Sequence, residues 1–339
     1  YCLHQLYHAL CRNMVKLSSC IGNRGWEADS FLGCLIERDW DAHTVSLSLP
    51  AKLQDLIALA GMTDCNSRAS PGVPHSALKK AQSDDMPLSS SIPYSSVCGS
   101  LLWLCRQVRP DGMHRTAELA RAMHAPTDRH WQAAKHLLSY MKGTADEKLV
   151  YKQDPAVSRS DYSFIGFVDA DYLPDYGDEF DNYHSTTGWI FTINNVAFSW
   201  RSRKQSVLAD STGAAELIAA TDASKQNIWL RRLFHDFGFT QHSPTSLFED
   251  NESCIKLSRN YCSHHKVKHL DLRVMLVREH HNRSLTELVP VRTFDQLADP
   301  FTKTVSGPET TRFRNWMLRG ELPTDLDLRM ATTLSATPG

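Results

Sequence analysis

The sequence contains no run of apolar residues long enough to cross a membrane. A transmembrane helix needs about 20 consecutive apolar residues, and the 42% hydrophobic residues here are spread among 22% charged ones. The start also lacks a basic region followed by an apolar stretch, so no signal peptide is predicted. We therefore expect no membrane partner. Because Tyr1 stands where an initiator Met would be, we also expect a fragment of a longer protein.

Paired cysteines and a strong net charge are missing as well. The nine cysteines are dispersed without the regular spacing of a zinc site or a disulfide scaffold, so we expect reduced thiols and an intracellular protein. The formal net charge of −1 gives no global attraction to a polyanion. A nucleic acid, if bound, must therefore be held by local basic patches.

The first half of the chain predicts a small, mainly helical unit. A chain of 339 residues is long enough for two domains. Apolar spacing predicts a hairpin over 31–49, a helix over 51–59 that ends at Gly61, and two further helices over 94–107 and 117–140. Between them, residues 63–93 are rich in Ser, Pro, Asp and Lys and predict a linker or exposed loop in which Asp84 and Asp85 are solvated.

The second half predicts an α/β arrangement of a mixed sheet with covering helices. From Ser163 the pattern runs strand, strand, strand, helix, strand, helix. The predicted segments are strands over 164–168, 188–193, 196–200, 246–248 and 285–291, and helices over 212–237, from 251, over 269–280 and from 300. Asn194 and Asn195 suit the positive φ angles of a tight hairpin turn.

Four acidic residues occupy the ends of these segments. Asp169 ends the first strand, Glu216 lies one turn into the long helix, Asp250 ends the short strand, and Asp299 begins the last helix. Strand ends and helix starts expose side chains at one edge of an α/β sheet, so these acids can converge. Converging carboxylates repel unless cations lie between them, and Mg²⁺ prefers such oxygen ligands. Two such ions are typical of nuclease chemistry.

Each acid also has a purely structural interpretation. Asp250 with Asn251 is suited to cap the following helix, Asp299 before Pro300 is suited to start one, and Glu216 is suited to a solvated first turn. The spacing of the acids alone leaves both interpretations open.

Seven ordered motifs resemble the ribonuclease H region of copia-type Pol polyproteins of LTR retrotransposons. They are FVDADY (167–172), STTGWIF (185–191), SWRSRKQ (199–205), AELIAA (215–220), EDN (249–251), KHLDLR (268–273) and DQLADPFTK (295–303). Upstream, segments such as HWQAAKHLLSYMKGT resemble the part of the reverse transcriptase that follows its palm. Asp169, Glu216, Asp250 and Asp299 all match the acids of this family.

The resemblance implies a ribonuclease H-like fold preceded by a smaller α+β or helical remnant of the reverse transcriptase. It assigns residues 1–150 to that remnant, 160–305 to the ribonuclease H-like domain and 306–339 to a C-terminal tail. It further implies that the four acids bind two Mg²⁺ ions, with Mn²⁺ as a substitute, and cut the RNA strand of RNA–DNA hybrids during reverse transcription. The remainder of the Pol polyprotein is the second implied partner, and no small-molecule cofactor is implied.

Two departures from the family pattern bear on activity. Ala214 stands where the family usually has a second Glu before the helix acid, which removes no metal ligand. The polymerase motif, an aromatic and a hydrophobic residue followed by two Asp, has no match in residues 1–30. We therefore expect no polymerase activity from this chain, unless another chain supplies the acids.

Basic residues near the third strand predict a phosphate-binding surface. Arg201, Arg203 and Lys204 follow the strand that ends at Trp200, and the long helix adds Lys225, Arg231 and Arg232. Such contacts position a backbone without reading bases. The alternative is an ordinary solvated surface.

The histidines give weaker signals. His264, His265 and His269 lack the ligand spacing of a zinc site, and His280 or His281 is either a proton donor near the site or an ordinary surface residue. The leading hypothesis is therefore a nuclease, and the alternative is a catalytically silent fragment that binds nucleic acid.

Overall fold

The computed structural model describes residues 29–74, 76–81, 84–153, 162–172, 184–259 and 271–323. The strands are β1 (Ser30–Phe31), β2 (Cys34–Asp39), β3 (Thr44–Ser48), β4 (Leu149–Lys152), β5 (Phe164–Asp171), β6 (Thr186–Ile193), β7 (Val196–Lys204), β8 (Thr245–Glu249) and β9 (Thr286–Pro290). The helices are α1 (Pro50–Leu59), α2 (Tyr94–Gln107), α3 (Met113–Arg121), α4 (Asp128–Gly143), α5 (Thr212–Asp236), α6 (Glu252–Arg259), α7 (Asp271–Asn282) and α8 (Gly307–Arg319). No helix in these ranges is long and apolar enough to cross a bilayer.

The upstream half contains an antiparallel sheet of strands β1 to β4 and helices α1 to α4. The predicted hairpin is confirmed as β2 and β3, and the predicted helix over 51–59 is confirmed as α1. Gly61 has a φ of 65°, the conformation that favours glycine after a helix end. Strand β4 comes from a distant part of the chain, pairs with β3 and forms the second edge of this sheet.

The single helix predicted over 117–140 is wrong, because the structure has two helices there. Helix α3 ends at Arg121 and α4 begins at Asp128. Pro126 has no backbone N–H to continue a helix, and its carbonyl accepts the N–H of Leu88 instead. Thr127 and His130 then form a capping box that starts α4.

The segment 63–93 forms no helix or strand within its described part, as predicted, but it is not simply an exposed loop. Ser70, Pro71 and Gly72 are buried. Asp85 lies 2.6 Å from the guanidinium of Arg129, so it is ion-paired rather than merely solvated as we predicted. This segment therefore packs onto the helical unit.

The downstream half confirms the predicted mixed sheet with covering helices. Its five strands lie in the order β7-β6-β5-β8-β9, with β5, β6 and β7 antiparallel and β8 and β9 parallel to β5. Asn194 and Asn195 have φ angles of 48° and 66° in the β6–β7 turn, as their sequence predicts. Helix α5 packs against β5 and β6.

The two faces of this sheet are buried by different parts of the chain. Phe164, Val168 and Phe191 pack in a cluster with residues of α5, α6 and α7. Phe167 and Trp200 belong instead to a cluster that continues through α2, α4 and α8. Trp200 also donates its indole N–H to the carbonyl of Cys105, 3.0 Å away, on α2. The two halves of the chain thus share a continuous apolar core.

The segment from Asp299 differs from the helix predicted to begin at Pro300. We predicted a helix from Pro300 and a tail over 306–339. The structure has one 3₁₀ turn at Asp299–Phe301, followed by α8, in which Phe313 and Trp316 are buried. Ser306 and Glu309 form the capping box that starts α8, and Gly320 ends it with a φ of 72°. Residues 307–319 are therefore part of the folded core.

Candidate metal centre

Three of the four predicted acids converge at one edge of the five-stranded sheet. Asp169 lies near the end of β5, and Asp250 directly follows β8. Because Phe167 pairs with Phe248 in the parallel register of β5 and β8, the two acids lie at the same level. Asp169, Glu216 and Asp250 each offer a carboxylate oxygen within 4.8 Å of the other two. The predicted convergence is confirmed for these three residues.

Glu216 reaches this edge because α5 lies close to the sheet. Ser211 caps the helix by accepting the N–H of Ala214. The buried face of α5 carries small residues beside Glu216, and Ala215, Ala219 and Ala220 are fully buried. Short side chains let the helix axis approach the strands, so a buried glutamate in the first turns meets the end of β5.

Burial and repulsion from neighbouring acids raise the pKa values of Asp169 and Glu216. Burial raises the pKa of Asp169, and Asp250 adds to this effect, while Lys303 and Thr302 oppose it. Burial also raises the pKa of Glu216 well above its usual range, and the nearby Glu249, Asp169 and Asp250 raise it further. One carboxylate oxygen of Glu216 is buried without a hydrogen-bond partner. A buried carboxylate without a partner is costly, which indicates a place for a cation.

Asp299 lies beside the three acids but outside the group that meets at 4.8 Å among the described residues. Its Oδ2 lies 3.1 Å from the ammonium nitrogen of Lys303. Burial and the charge of Asp169 raise the pKa of Asp299 to about 8, against the opposing effect of Lys303. Its Oδ1 is buried without a hydrogen-bond partner. Asp299 is therefore close enough to interact with Asp169, and it is held by a lysine.

Thr302, Lys303 and Glu249 belong to this site although our sequence analysis did not select them. Thr302 donates a hydrogen bond from its hydroxyl to Oδ2 of Asp169. Glu249 is fully buried, and its Oε1 accepts the N–H of Asn251 at 3.1 Å. The only sequence signal for them was their place in the motifs EDN and DQLADPFTK, beside acids that had already been selected.

The helix cap expected from the pair Asp250 and Asn251 is present, but Asn251 supplies it and Asp250 does not. The side chain of Asn251 accepts the N–H groups of Ser253 and Cys254 at 2.9 and 3.1 Å and so caps α6 by itself. Glu216 is buried, so it is not a solvated surface acid either. Asp299 does start a short 3₁₀ turn, with Pro300 next to it, and so its structural role is real. The donor set at the site consists of carboxylate oxygens, which fits a hard cation such as Mg²⁺.

The predicted basic surface is organised around Asp222. Arg201 and Arg203 are exposed on β7 and lie 3.7 and 3.5 Å from this carboxylate, which also accepts the indole N–H of Trp189. Lys204 is the last residue of the same strand. Arg231 does not belong to this surface, because its guanidinium donates to the carbonyls of Gln241 and Ser243 and fixes the loop after α5.

The predicted histidine signals have different outcomes. His264, His265 and His269 lie outside the described residues. The ring of His280 hydrogen bonds with the buried hydroxyl of Ser224 at 2.6 Å and thereby links α7 to α5. Burial lowers the pKa of His280. This contact gives His280 a packing role.

The sheet order and the converging carboxylates define a ribonuclease H-like α/β protein. No family model matches the sequence. The chain is a homologue of copia-type, retrovirus-related Pol polyproteins of plant transposons. It is 31% identical over 282 residues to the polyprotein of transposon TNT 1-94 from Nicotiana tabacum, and 31% identical over 252 residues to that of transposon RE2 from Arabidopsis thaliana.

These matches cover most of this chain but a small part of each relative. They include 82% and 74% of the chain, and the chain spans 20% and 16% of the two polyproteins. A shorter relative, the secreted RxLR effector protein 161 of Plasmopara viticola, is 30% identical over 140 residues. That match covers 92% of the effector and 41% of this chain.

Proposed function

We propose that this chain is the ribonuclease H part of a retrotransposon Pol polyprotein and hydrolyses the RNA strand of RNA–DNA hybrids. The observation that supports this most directly is the group formed by the buried acids Asp169 and Glu216 and the half-buried Asp250, in which an oxygen of Glu216 has no hydrogen-bond partner. Asp299 stands beside them and completes the set of four acids that would hold two Mg²⁺ ions. Mn²⁺ is the expected substitute, because it shares the preference for oxygen ligands.

Divalent ions bound here would activate a water and stabilise the leaving oxygen of a phosphodiester. The residues of the chain prepare the site for them. Thr302 fixes one oxygen of Asp169 by its hydrogen bond, which orients the other. The ammonium of Lys303 balances part of the negative charge at Asp299 before a cation arrives. Carboxyl groups with raised pKa values release protons when a cation binds, so binding is coupled to pH.

The substrate in this proposal is contacted through its backbone. Arg201, Arg203 and Lys204 on β7 would contact phosphates without reading bases, which suits a nuclease that cuts any sequence. The pairing of both arginines with Asp222 limits their freedom and presents them from a fixed strand. The remainder of the Pol polyprotein is the second proposed partner. Polymerase activity is not part of the proposal, because residues 1–30 contain no matching motif.

Cleavage of a defined hybrid tests this function. The full chain is incubated with an end-labelled RNA–DNA hybrid in Mg²⁺ or Mn²⁺, with duplex RNA and duplex DNA as controls. We expect cleavage of the RNA strand of the hybrid, and loss of cleavage in Asp169→Asn. Glu252→Gln is the matched control, since Glu252 lies close to Asp250 in sequence but is fully exposed and pairs with Lys256.

Two outcomes contradict the proposal. A wild-type chain that binds the hybrid without cutting it would support the alternative of a silent fragment. Cleavage that persists unchanged in Asp169→Asn would indicate a contaminating nuclease or a different site.

A further inference from the structure

We infer that the upstream helical unit holds the 299–305 segment of the nuclease site in position, through the buried side chain of Arg115. The inference deepens the proposed function, because it assigns to the upstream half a part in the geometry of the acidic site. Arg115 lies on α3 and touches none of the four acids. It is therefore proposed as a positioning residue.

The guanidinium of Arg115 joins three separate segments of the chain. It donates to the carbonyl of Ser76 at 2.9 Å, in the loop before α2, and to the hydroxyl of Thr304 at 3.1 Å. It also lies 2.7 Å from Oε2 of Glu118, one turn further along α3. Only 4% of Arg115 and 2% of Glu118 are exposed. A buried arginine with these partners fixes their relative positions, because breaking one contact leaves a charge poorly compensated.

Glu118 and His114 extend the cluster to the sheet. The carboxylate of Glu118 accepts the N–H of Leu78 at 2.9 Å and lies 3.7 Å from Nε2 of His114. The other ring nitrogen of His114 lies 3.4 Å from the hydroxyl of Ser202 on β7. Arg115 is thus connected to the loop over 76–78 and, through Glu118 and His114, to the five-stranded sheet, in addition to its contact with Thr304.

Gly72 provides the space that this guanidinium occupies. A Cβ at position 72 would lie 2.3 Å from Nε of Arg115, closer than real Cβ contacts come. The residue is buried and belongs to the loop that covers α3. Any side chain here would displace the arginine, so Gly72→Ala disturbs the contact without removing the charge.

The segment held by Arg115 carries three residues of the site. Thr304 follows Thr302, which donates to Asp169, and Lys303, which pairs with Asp299. A shift of Thr304 would move both neighbours relative to the acids. The position of Asp299 and the orientation of Asp169 therefore depend on a side chain from the upstream half.

Three variants of the full chain test this dependence. Thr304→Val removes only the accepting hydroxyl, Gly72→Ala displaces the guanidinium, and Arg115→Met removes it. Arg109→Met is the matched control, because Arg109 is also buried and ion-paired, at 2.7 Å to Asp111, but its other hydrogen bonds go to Thr144 on the upstream half.

Hydrogen exchange measured by mass spectrometry is the first readout. We expect amides of the peptide over 299–305 to exchange about tenfold faster in Thr304→Val and Gly72→Ala, since a hydrogen bond from a charged group is lost. Peptides from β5 and α5 should be unchanged. We expect Arg109→Met to leave the 299–305 peptide as in the wild type.

Kinetics on the hybrid give the second readout. We expect kcat to fall about tenfold in Thr304→Val while KM stays within about twofold, because Thr304 shapes the site without contacting the backbone of the substrate. A merely structural role would reduce the amount of active enzyme and leave the pH profile and metal dependence of the remainder unchanged. A positioning role raises the Mg²⁺ concentration needed for half-maximal activity.

The outcomes separate this inference from the proposed function. Unchanged exchange of 299–305 in both Thr304→Val and Gly72→Ala overturns the inference, as does an equal increase in Arg109→Met. If Arg115→Met fails to fold, the two milder variants decide. A wild-type chain that cuts no hybrid overturns the proposed function, and the exchange measurements still decide whether Arg115 holds the segment.

Discussion

Gly188 lies directly opposite Asp169 in the antiparallel pairing of β5 and β6. A Cβ at position 188 would lie 2.7 Å from the Cβ of Phe301 and 2.7 Å from Cγ2 of Thr302. Both distances are shorter than real Cβ contacts, so a side chain here would push these atoms away. Phe301 and Thr302 are buried, so they have little room to move. The glycine therefore allows the 3₁₀ turn at Asp299–Phe301 to lie directly on the sheet, beside Asp169.

This close approach predicts the effect of Gly188→Ala. Overpacking at a buried site costs about 1–3 kcal/mol, and the displaced turn would move Thr302 away from Asp169. We expect lower stability in urea unfolding together with reduced hybrid cleavage. Gly213→Ala is the control, since its Cβ would meet nothing closer than 3.7 Å. Equal stability of Gly188→Ala and the wild type would contradict the packing described here.

Glu216→Gln is expected to separate stability from metal binding. The neutral amide replaces a buried acid that Glu249, Asp169 and Asp250 repel. The metal-free chain should therefore unfold at the same or a higher temperature. Binding of Mg²⁺, followed by calorimetry, should weaken by at least about tenfold, as for other changes at metal sites. Glu252→Gln serves again as the exposed control. Unaltered Mg²⁺ affinity in Glu216→Gln would remove this residue from the site.

The raised pKa of Asp299 predicts how the stability of the metal-free chain depends on pH. Folding raises this pKa from its ordinary value of 3.8 to about 8, so the folded state binds the proton more tightly than the unfolded state. The resulting stability is fully present below about pH 4 and is lost as the pH rises to about 8. Asp299→Asn should flatten the dependence in this range.

Thermal unfolding at several pH values, with a chelator present, measures this effect. Added Mg²⁺ should restore stability most strongly at the higher pH, where the acids are ionised. If the pH dependence of Asp299→Asn equals that of the wild type, other groups are responsible for it.

Gln296 is expected to contribute to stability through the strand that carries Asp169. Its amide donates to the carbonyl of Val168 at 2.9 Å, and its oxygen accepts the N–H of Ala298 at 3.2 Å. Gln296→Leu leaves both groups buried without these partners, which costs about 1–3 kcal/mol for each. Gln226→Leu is the control, because Gln226 is only half-buried and its contact with Ser199 is longer, at 3.3 Å. Denaturant midpoints that fall equally in both variants would contradict this assignment.

The basic surface predicts how binding depends on salt. Each phosphate contact contributes about 0.9 to the slope of log K against log salt on duplex DNA. Arg201→Gln with Arg203→Gln should therefore lower the slope for a hybrid by up to about two. Lys256→Gln on α6 is the control, since Lys256 is exposed and pairs with Glu252. Fluorescence anisotropy at several salt concentrations measures the slope, and an unchanged slope would exclude these arginines from binding.

The sequence was sufficient to predict the acids that lie at strand ends and helix starts. Asp169, Glu216 and Asp250 were selected because apolar strands and a long helix place them at one edge of a sheet, and ordered motifs supported them. Asp299 was selected because it was predicted to begin the last helix. In the structure it starts a 3₁₀ turn and pairs with Lys303. Local pattern did not distinguish a short turn from the start of the last helix.

The residues that were missed owe their roles to contacts made across long stretches of chain. Arg115 meets Ser76 and Thr304 over 39 and 189 residues, and Thr302 meets Asp169 over 133 residues. No spacing rule for helices or strands reports such pairs. The break between α3 and α4 does not depend on such long-range contacts. Pro126 disfavours a continuous helix and Thr127 is suited to cap a new one, so the sequence itself indicates the break.

The indole of Trp316 on α8 packs against the ring of Phe167 on β5, with centroids 5.3 Å apart. Phe167 also stacks on Phe248, with centroids 4.8 Å apart, but its contact with Trp316 forms only after residue 316 has been synthesised. The upstream half leaves the ribosome first, and the part of its apolar surface that packs against α8 stays uncovered until α8 has been synthesised. A chain that stopped at residue 305, where the predicted nuclease domain ends, would possess all four acids but lack α8 and its contact with this ring, so we expect it to aggregate rather than fold.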